Sequence, residues 1–108
     1  MLAYFLIRCG FAQLNPPSDA SFFGSSVSIF GNTALIGAPY SLRQGAAYVF
    51  DMPGGGWVTT STPTAELEAS DEAYEDLFGA SVSLSTSSAL IGGFQHNEMR
   101  GAAYVFGD

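Results

Sequence analysis

Lysine is absent from this 108-residue chain, and three arginines stand against ten acidic residues, for a formal net charge of −7. Nucleic-acid binding draws on clustered cations to displace phosphate counterions, so that class is excluded by composition. An anionic membrane surface is disfavoured on the same ground. Cysteine occurs once, at Cys9, which rules out an internal disulfide. Asn-x-Ser/Thr is missing, so glycosylation gives no hint of compartment. No apolar run approaches the ~20 residues of a membrane span. Charged residues are only 12% of the chain, about half the usual ~25% share. The signatures of catalysis are missing as well. There is no Gly-x-Ser-x-Gly, no phosphate-binding loop, no His-Glu-x-x-His and no Cys-x-x-Cys.

What is present is apolar and turn-rich. Hydrophobic residues make up 47% and aromatics 14%, with thirteen glycines. Disorder requires low hydrophobicity and high charge, the reverse of this balance. The chain also repeats itself. FGSSVSIFGNTALIG at 23–37 returns as FGASVSLSTSSALIG at 78–92, with nine of fifteen positions identical. GAAYVF at 45–50 returns unchanged at 101–106. The first offset is 55 and the second 56, so one residue has been inserted in the intervening loop. Surface loops tolerate such an insertion and strands do not. One structural unit is used twice.

The unit reads as β. Ser26 to Ile29 alternate polar and apolar, the period of a half-covered strand. Gly31-Asn32 supplies turn chemistry, because both tolerate positive φ. Thr33 to Ala38 is a small apolar run, as in a strand covered on both faces. Pro39 ends it, and a loop at 40–44 leads to a third strand at Gly45–Asp51, with Tyr48 and Phe50 on one face and Val49 on the other. The glycines at 54–56 make a turn. Trp57 then opens an expected fourth strand through a Thr-rich stretch, limited by Pro63. Four short antiparallel strands in about 55 residues make one propeller blade.

The expected class is all-β, with about two four-stranded antiparallel blades of an incomplete propeller. Residues 1–21 form a remnant of a preceding blade or a leader. Residues 22–76 hold the first blade with its outer strand and acidic loop, and 77–108 the second, truncated after its third strand. For the opening segment two readings stay open. Leu2–Arg8 and Phe11–Leu14 fit a third and a short fourth strand of an earlier blade, since Ala3-Tyr4 matches Ala47-Tyr48. A leader is the competing reading, although Arg8 interrupts its apolar run and no basic segment precedes it.

These residues resemble the FG-GAP repeats of integrin α-subunit propellers and of bacterial and protist surface proteins. Phe23-Gly24 and Phe78-Gly79 stand for the Phe-Gly, and Gly37-Ala38-Pro39 for the Gly-Ala-Pro. The second copy reads Gly92-Gly93-Phe94 there, without the proline. The resemblance implies a propeller fold, an extracellular or cell-surface location, and a role in adhesion, sugar binding or scaffolding. For integrin-type repeats the resemblance also implies a calcium loop between the Phe-Gly and the Gly-Ala-Pro. Neither interval here contains a carboxylate, and calcium takes 6–8 oxygen ligands, usually with several carboxylates. Calcium is therefore disfavoured, and no cofactor is expected.

The densest chemistry lies at 68–79, where Glu68, Asp71, Glu72, Glu75 and Asp76 precede the second Phe-Gly. The stretch lacks the 1-3-5 spacing and the glycine of a dedicated calcium loop. It reads as a solvated acidic loop, with Asp71, Glu75 and Asp76 as its weak metal candidates. His96 beside Glu98 is a formal acid–base pair without a nucleophile. Trp57 reads as an edge packer rather than a stacking platform. The Phe-Gly pairs read as packing, an aromatic wedge beside a residue with no Cβ that lets one blade approach the next. The two loops 40–44 and 94–100 are equivalent in the repeat yet differ throughout. Tyr40, Arg43, Gln44, Gln95, His96, Asn97 and Arg100 are thus the candidate contact residues.

The expectation is a non-catalytic binding, adhesion or scaffold module for a protein or carbohydrate partner. A propeller accessory to an enzyme encoded outside this chain, or a purely structural repeat, are the alternatives. Two blades would leave apolar faces uncovered, so self-association or further blades are expected.

Overall fold

The computed structural model describes residues 11–17, 20–41, 45–69, 76–93 and 100–107. The expected strand at Leu2–Arg8 lies outside these residues. Within them the chain forms two antiparallel sheets and no α-helix. The first sheet runs in the order β1-β2-β3-β4, from β1 (Ser26–Phe30), β2 (Thr33–Ala38), β3 (Ala46–Asp51) and β4 (Ala65–Leu67). The second runs β5-β6-β7, from β5 (Ser81–Leu84), β6 (Ser88–Gly93) and β7 (Ala102–Gly107). Each sheet is a meander in which neighbours in sequence are neighbours in space. The ring of a propeller is not closed.

Local chemistry sets the first hairpin. Phe30 pairs with Thr33 across the Gly31-Asn32 turn, and Gly31 takes a φ of 59°, a region glycine enters without steric cost. The register then carries Val27 opposite Ile36 and Ile36 opposite Tyr48. The second sheet repeats it, with Val82 opposite Ile91 and Ile91 opposite Tyr104.

The fourth strand is not where the Thr-rich stretch placed it. Trp57 to Thr62 pairs with nothing in the sheet. Thr60 instead forms an isolated parallel bridge with Leu14, closed by Asn15 N–H to Thr60 O at 2.8 Å and Thr60 N–H to Gln13 O at 3.1 Å. Pro63 removes a donor and interrupts the ladder, and β4 forms beyond it, with Ala47 opposite Leu67 and Val49 opposite Ala65. Phe11–Leu14 is likewise not a strand, since only Leu14 pairs.

The faces of the first sheet go to two cores. Ala34, Ile36, Tyr48 and Phe50 point one way, and Phe23, Leu14, Ala20 and Trp57 pack on them. Leu35 and Ala47, with Val49 and Leu67, point the other way and meet Phe78, Ala89 and Ile91 of the second sheet. The strand covered on both faces is thus β2, as its uninterrupted apolar run requires. The second core is the seam between the two units. Phe78 is 0% exposed there, which is worth about 1.5–3 kcal/mol of apolar burial.

Glycine makes the seam possible. A Cβ on Gly37 would collide with the carbonyl oxygen of Gly79, and one on Gly45 with the backbone of Phe78. Gly45 and Phe78 form a parallel bridge between the units. Ser26 Oγ donates to Gly79 O at 2.9 Å, and the Leu84 amide donates to Ser28 Oγ at 3.1 Å. The Phe-Gly pair is therefore a docking wedge, as its composition indicated.

Candidate functional site

The β2–β3 connection is where sequence divergence and exposed chemistry coincide. Tyr40 lies just beyond β2 and is 49% exposed. Its ring sits against that of Phe22, with centroids 4.7 Å apart and planes tilted by 55°. Phe22 is 68% exposed, so the pair forms an aromatic surface at one end of the first sheet. Below it the connection is anchored. Ser41 is buried, its Oγ lies 2.8 Å from Tyr48 Oη, and the Gly45 amide donates to Ser41 O at 2.7 Å. A rigid base thus carries an exposed rim.

Phe22 was not among the residues singled out by sequence. It holds a φ of 61°, and Leu77, its equivalent before the second Phe-Gly, holds 62°. Bulky residues rarely enter this region, because Cβ crowds the following carbonyl. Both repeats make the same turn into the Phe-Gly, and there the side chains part company. Leu77 is buried in the fold, whereas Phe22 projects outward to meet Tyr40. A left-handed phenylalanine carries no mark in the sequence beyond the repeat alignment itself.

Of the other candidates, Arg100 is exposed at the entry to β7. Arg43, Gln44, Gln95, His96 and Asn97 lie outside the described residues, as do Asp71 and Glu75. Asp76 is described, and it is not part of a solvated face. It is 6% exposed, next to the buried Leu77 and Phe78. Its carbonyl oxygen lies 3.3 Å from a Cβ position on Gly93, at the end of β6 in the same unit. Among the described residues no cluster of three or more His, Cys, Asp or Glu side chains converges. No described helix is long and apolar enough to cross a membrane.

The opposite end of the sheets offers a second concavity. The β1–β2 and β5–β6 turns flank an open groove of about 530 Å³. Asn32, Thr33, Ser85 and Ser87 rim it, and Val49, Leu67 and Leu84 lie among its apolar lining. Thr33 Oγ1 donates to Asp51 Oδ1 at 2.9 Å and Asp51 N–H to Thr64 Oγ1 at 3.1 Å, which ties this end of the first sheet together. Trp57 does not form a strand, yet it packs on the first core as an edge packer would, beside Leu14 and Phe50.

The family model for the FG-GAP repeat matches residues 17–50 and again 62–106. The chain belongs to the FG-GAP repeat family. Each match contains one Phe-Gly wedge; the first spans β1 to β3, and the second takes in β4 of the first sheet together with the second sheet. No match to a curated protein was found. FG-GAP membership accounts for the docking wedges and for the blade-like meanders, and it leaves the exposed rim to be explained by this chain's own residues.

Proposed function

We propose that this FG-GAP chain is a non-catalytic binding or adhesion module of an extracellular or surface-exposed propeller, and that it makes its contacts through the loops between strands. The observation that carries this reading is the Phe22–Tyr40 pair. Two aromatic rings, 68% and 49% exposed and 4.7 Å apart, stand on a loop base fixed by Ser41 and Tyr48. Exposed aromatics on a rigid base lose little conformational freedom on binding and offer a large contact area, the features of binding hot spots. The partner class that fits is a carbohydrate ring or an apolar protein side chain. The net charge of −7 argues against polyanions as partners.

The test is a binding screen of the chain against immobilised glycans and extracellular matrix proteins, repeated with Tyr40→Ala and Phe22→Asn. The expected result is a hit that both variants weaken at least tenfold with no loss of melting temperature. A hit that neither variant weakens contradicts the assignment of the site. A broad esterase, phosphatase and glycosidase screen is expected to read background, and turnover abolished by His96→Ala would overturn the non-catalytic reading.

A further inference from the structure

We infer that Thr62, with Ser61 beside it, is an acceptor for an O-linked sugar added by a glycosyltransferase of the secretory pathway, an assignment that rests for its setting on the surface-exposed reading above. Residues 59–64 read Thr-Thr-Ser-Thr-Pro-Thr, so hydroxyl side chains crowd around one proline. Runs rich in Ser, Thr and Pro are the composition of O-glycosylated segments. The run lies in the middle of the chain, inside a window at 52–65 that holds no charged residue. An acceptor this neutral suits transfer of a neutral sugar better than recognition by a charge-directed kinase.

The fold sorts these hydroxyls into two kinds. Thr59 Oγ1 accepts the Gln13 amide, Thr60 Oγ1 the Thr62 amide and Thr64 Oγ1 the Asp51 amide, each at 3.1 Å. These three are structural, because each satisfies a backbone N–H. The hydroxyls of Ser61 and Thr62 make no hydrogen bond to any described residue, and both residues are exposed. The backbone agrees with the side chains. Thr60 forms the isolated bridge to Leu14, and β4 begins only at Ala65. Pro63 holds the preceding Thr62 in the extended region and has no amide to offer a neighbouring strand. Ser61–Pro63 is thus exposed and unpaired in the sheet, the form in which a chain can enter a transferase cleft.

Other free hydroxyls lack this combination. Thr86 and Ser87 are exposed, yet they sit in the tight turn between β5 and β6 with no proline near them. Thr62 also lines a crevice of about 120 Å³ together with Leu14, Trp57 and Val58. Val58 is 51% exposed, so a sugar on Thr62 would stand beside apolar surface that the fold leaves open. In the transfer the Thr62 oxygen attacks the anomeric carbon of a nucleotide-activated sugar. The new C–O bond forms as the bond from that carbon to the phosphate oxygen breaks. The nucleoside diphosphate leaves with the electron pair, and the hydroxyl proton passes to a base of the transferase.

The test incubates the purified, unmodified full chain with a polypeptide N-acetylgalactosaminyltransferase and UDP-N-acetylgalactosamine. Intact mass counts the sugars added, and electron-transfer fragmentation places them. The folded chain is expected to gain N-acetylgalactosamine at Thr62, alone or with Ser61. The double variant Ser61→Ala/Thr62→Ala is expected to gain none between residues 57 and 66, with an unchanged far-ultraviolet spectrum, since both side chains are exposed and unbonded. A folded chain that stays unmodified overturns the proposal, whether or not a free peptide of residues 57–66 accepts the sugar. So does sugar placed on Thr59, Thr60 or Thr64 in the wild-type chain, or transfer to this segment that survives the double substitution. The readout needs no binding partner, so its failure leaves the Phe22–Tyr40 site standing, and loss of that site leaves this one.

Discussion

Phe23 and Phe78 are the same residue of the same repeat, and they should not cost the same to remove. Phe78 is fully enclosed between the sheets, edge-on to Tyr104 at 5.3 Å and to Phe106 at 6.0 Å. Phe23 makes the corresponding ring contacts, at 5.8 Å to Tyr48 and 6.1 Å to Phe50, but no second sheet closes over it. Truncating an enclosed phenylalanine removes its burial and leaves a cavity, at about 3–5 kcal/mol. A half-covered ring loses part of the ~1.5–3 kcal/mol of burial, and its site is open enough to collapse, so about 1–2 kcal/mol is expected. An ordinary domain holds about 5–15 kcal/mol in total, so Phe78→Ala leaves a marginal fold while Phe23→Ala does not. Urea unfolding at a concentration where the chain is monomeric would resolve this. A difference of about 2 kcal/mol moves the midpoint by about 1 M at a slope near 2 kcal/mol/M. Phe78→Leu gives a graded point if the alanine variant is unfolded. Equal midpoint shifts at the two positions would refute the reasoning, because they would mean that Phe78 gains nothing from the first sheet closing over it.

Gly37→Ala is expected to destabilise by at least the ~1–3 kcal/mol of an overpacked core, since its Cβ meets the Gly79 backbone, whereas Gly92→Ala displaces only the Ser81 hydroxyl and should leave the monomer's melt nearly unchanged. Thermal melts of the two variants side by side decide it. Phe22→Asn is expected to keep or raise stability by up to about 1 kcal/mol, because asparagine enters the left-handed region more readily than phenylalanine and little apolar burial is lost; a loss above that size in a melt would contradict the strain. Calorimetric titration with calcium is expected to show no binding at micromolar affinity, because neither interval between the Phe-Gly and the Gly-Ala-Pro position contains a carboxylate.

The parts of this fold that were legible in the sequence are those set by periodicity and repetition. Alternation in Ser26–Ile29, the unbroken apolar run of β2 and the Gly31-Asn32 turn all specify their structure locally. The duplicated Phe-Gly, an aromatic wedge beside a residue with no Cβ, indicated close approach of one unit to the next, while its partners Gly37 and Ala47 became visible only in the fold. The fourth strand was not legible. Thr-rich Trp57–Thr62 has the better strand propensity, and Ala-Glu-Leu at 65–67 has little. Pairing with β3 decided between them, and pairing is not a property of either segment alone. Asp76 misled for a related reason. Its acidic neighbours suggested solvent, but its place two residues before a docking wedge buried it. The Phe22–Tyr40 pair arises from a backbone turn and a crossing of two loops, neither of which leaves a periodic trace.

The two-unit seam is the central claim, and a nuclear Overhauser map of the chain at a dilution where it is monomeric tests it most directly. The predicted result is cross-peaks between Phe78 and Gly45, and between Leu84 and Ser28, alongside the expected cross-strand peaks within each sheet. Cross-peaks confined to the two sheets, with none linking Phe78 to Gly45 or Leu84 to Ser28, would contradict it.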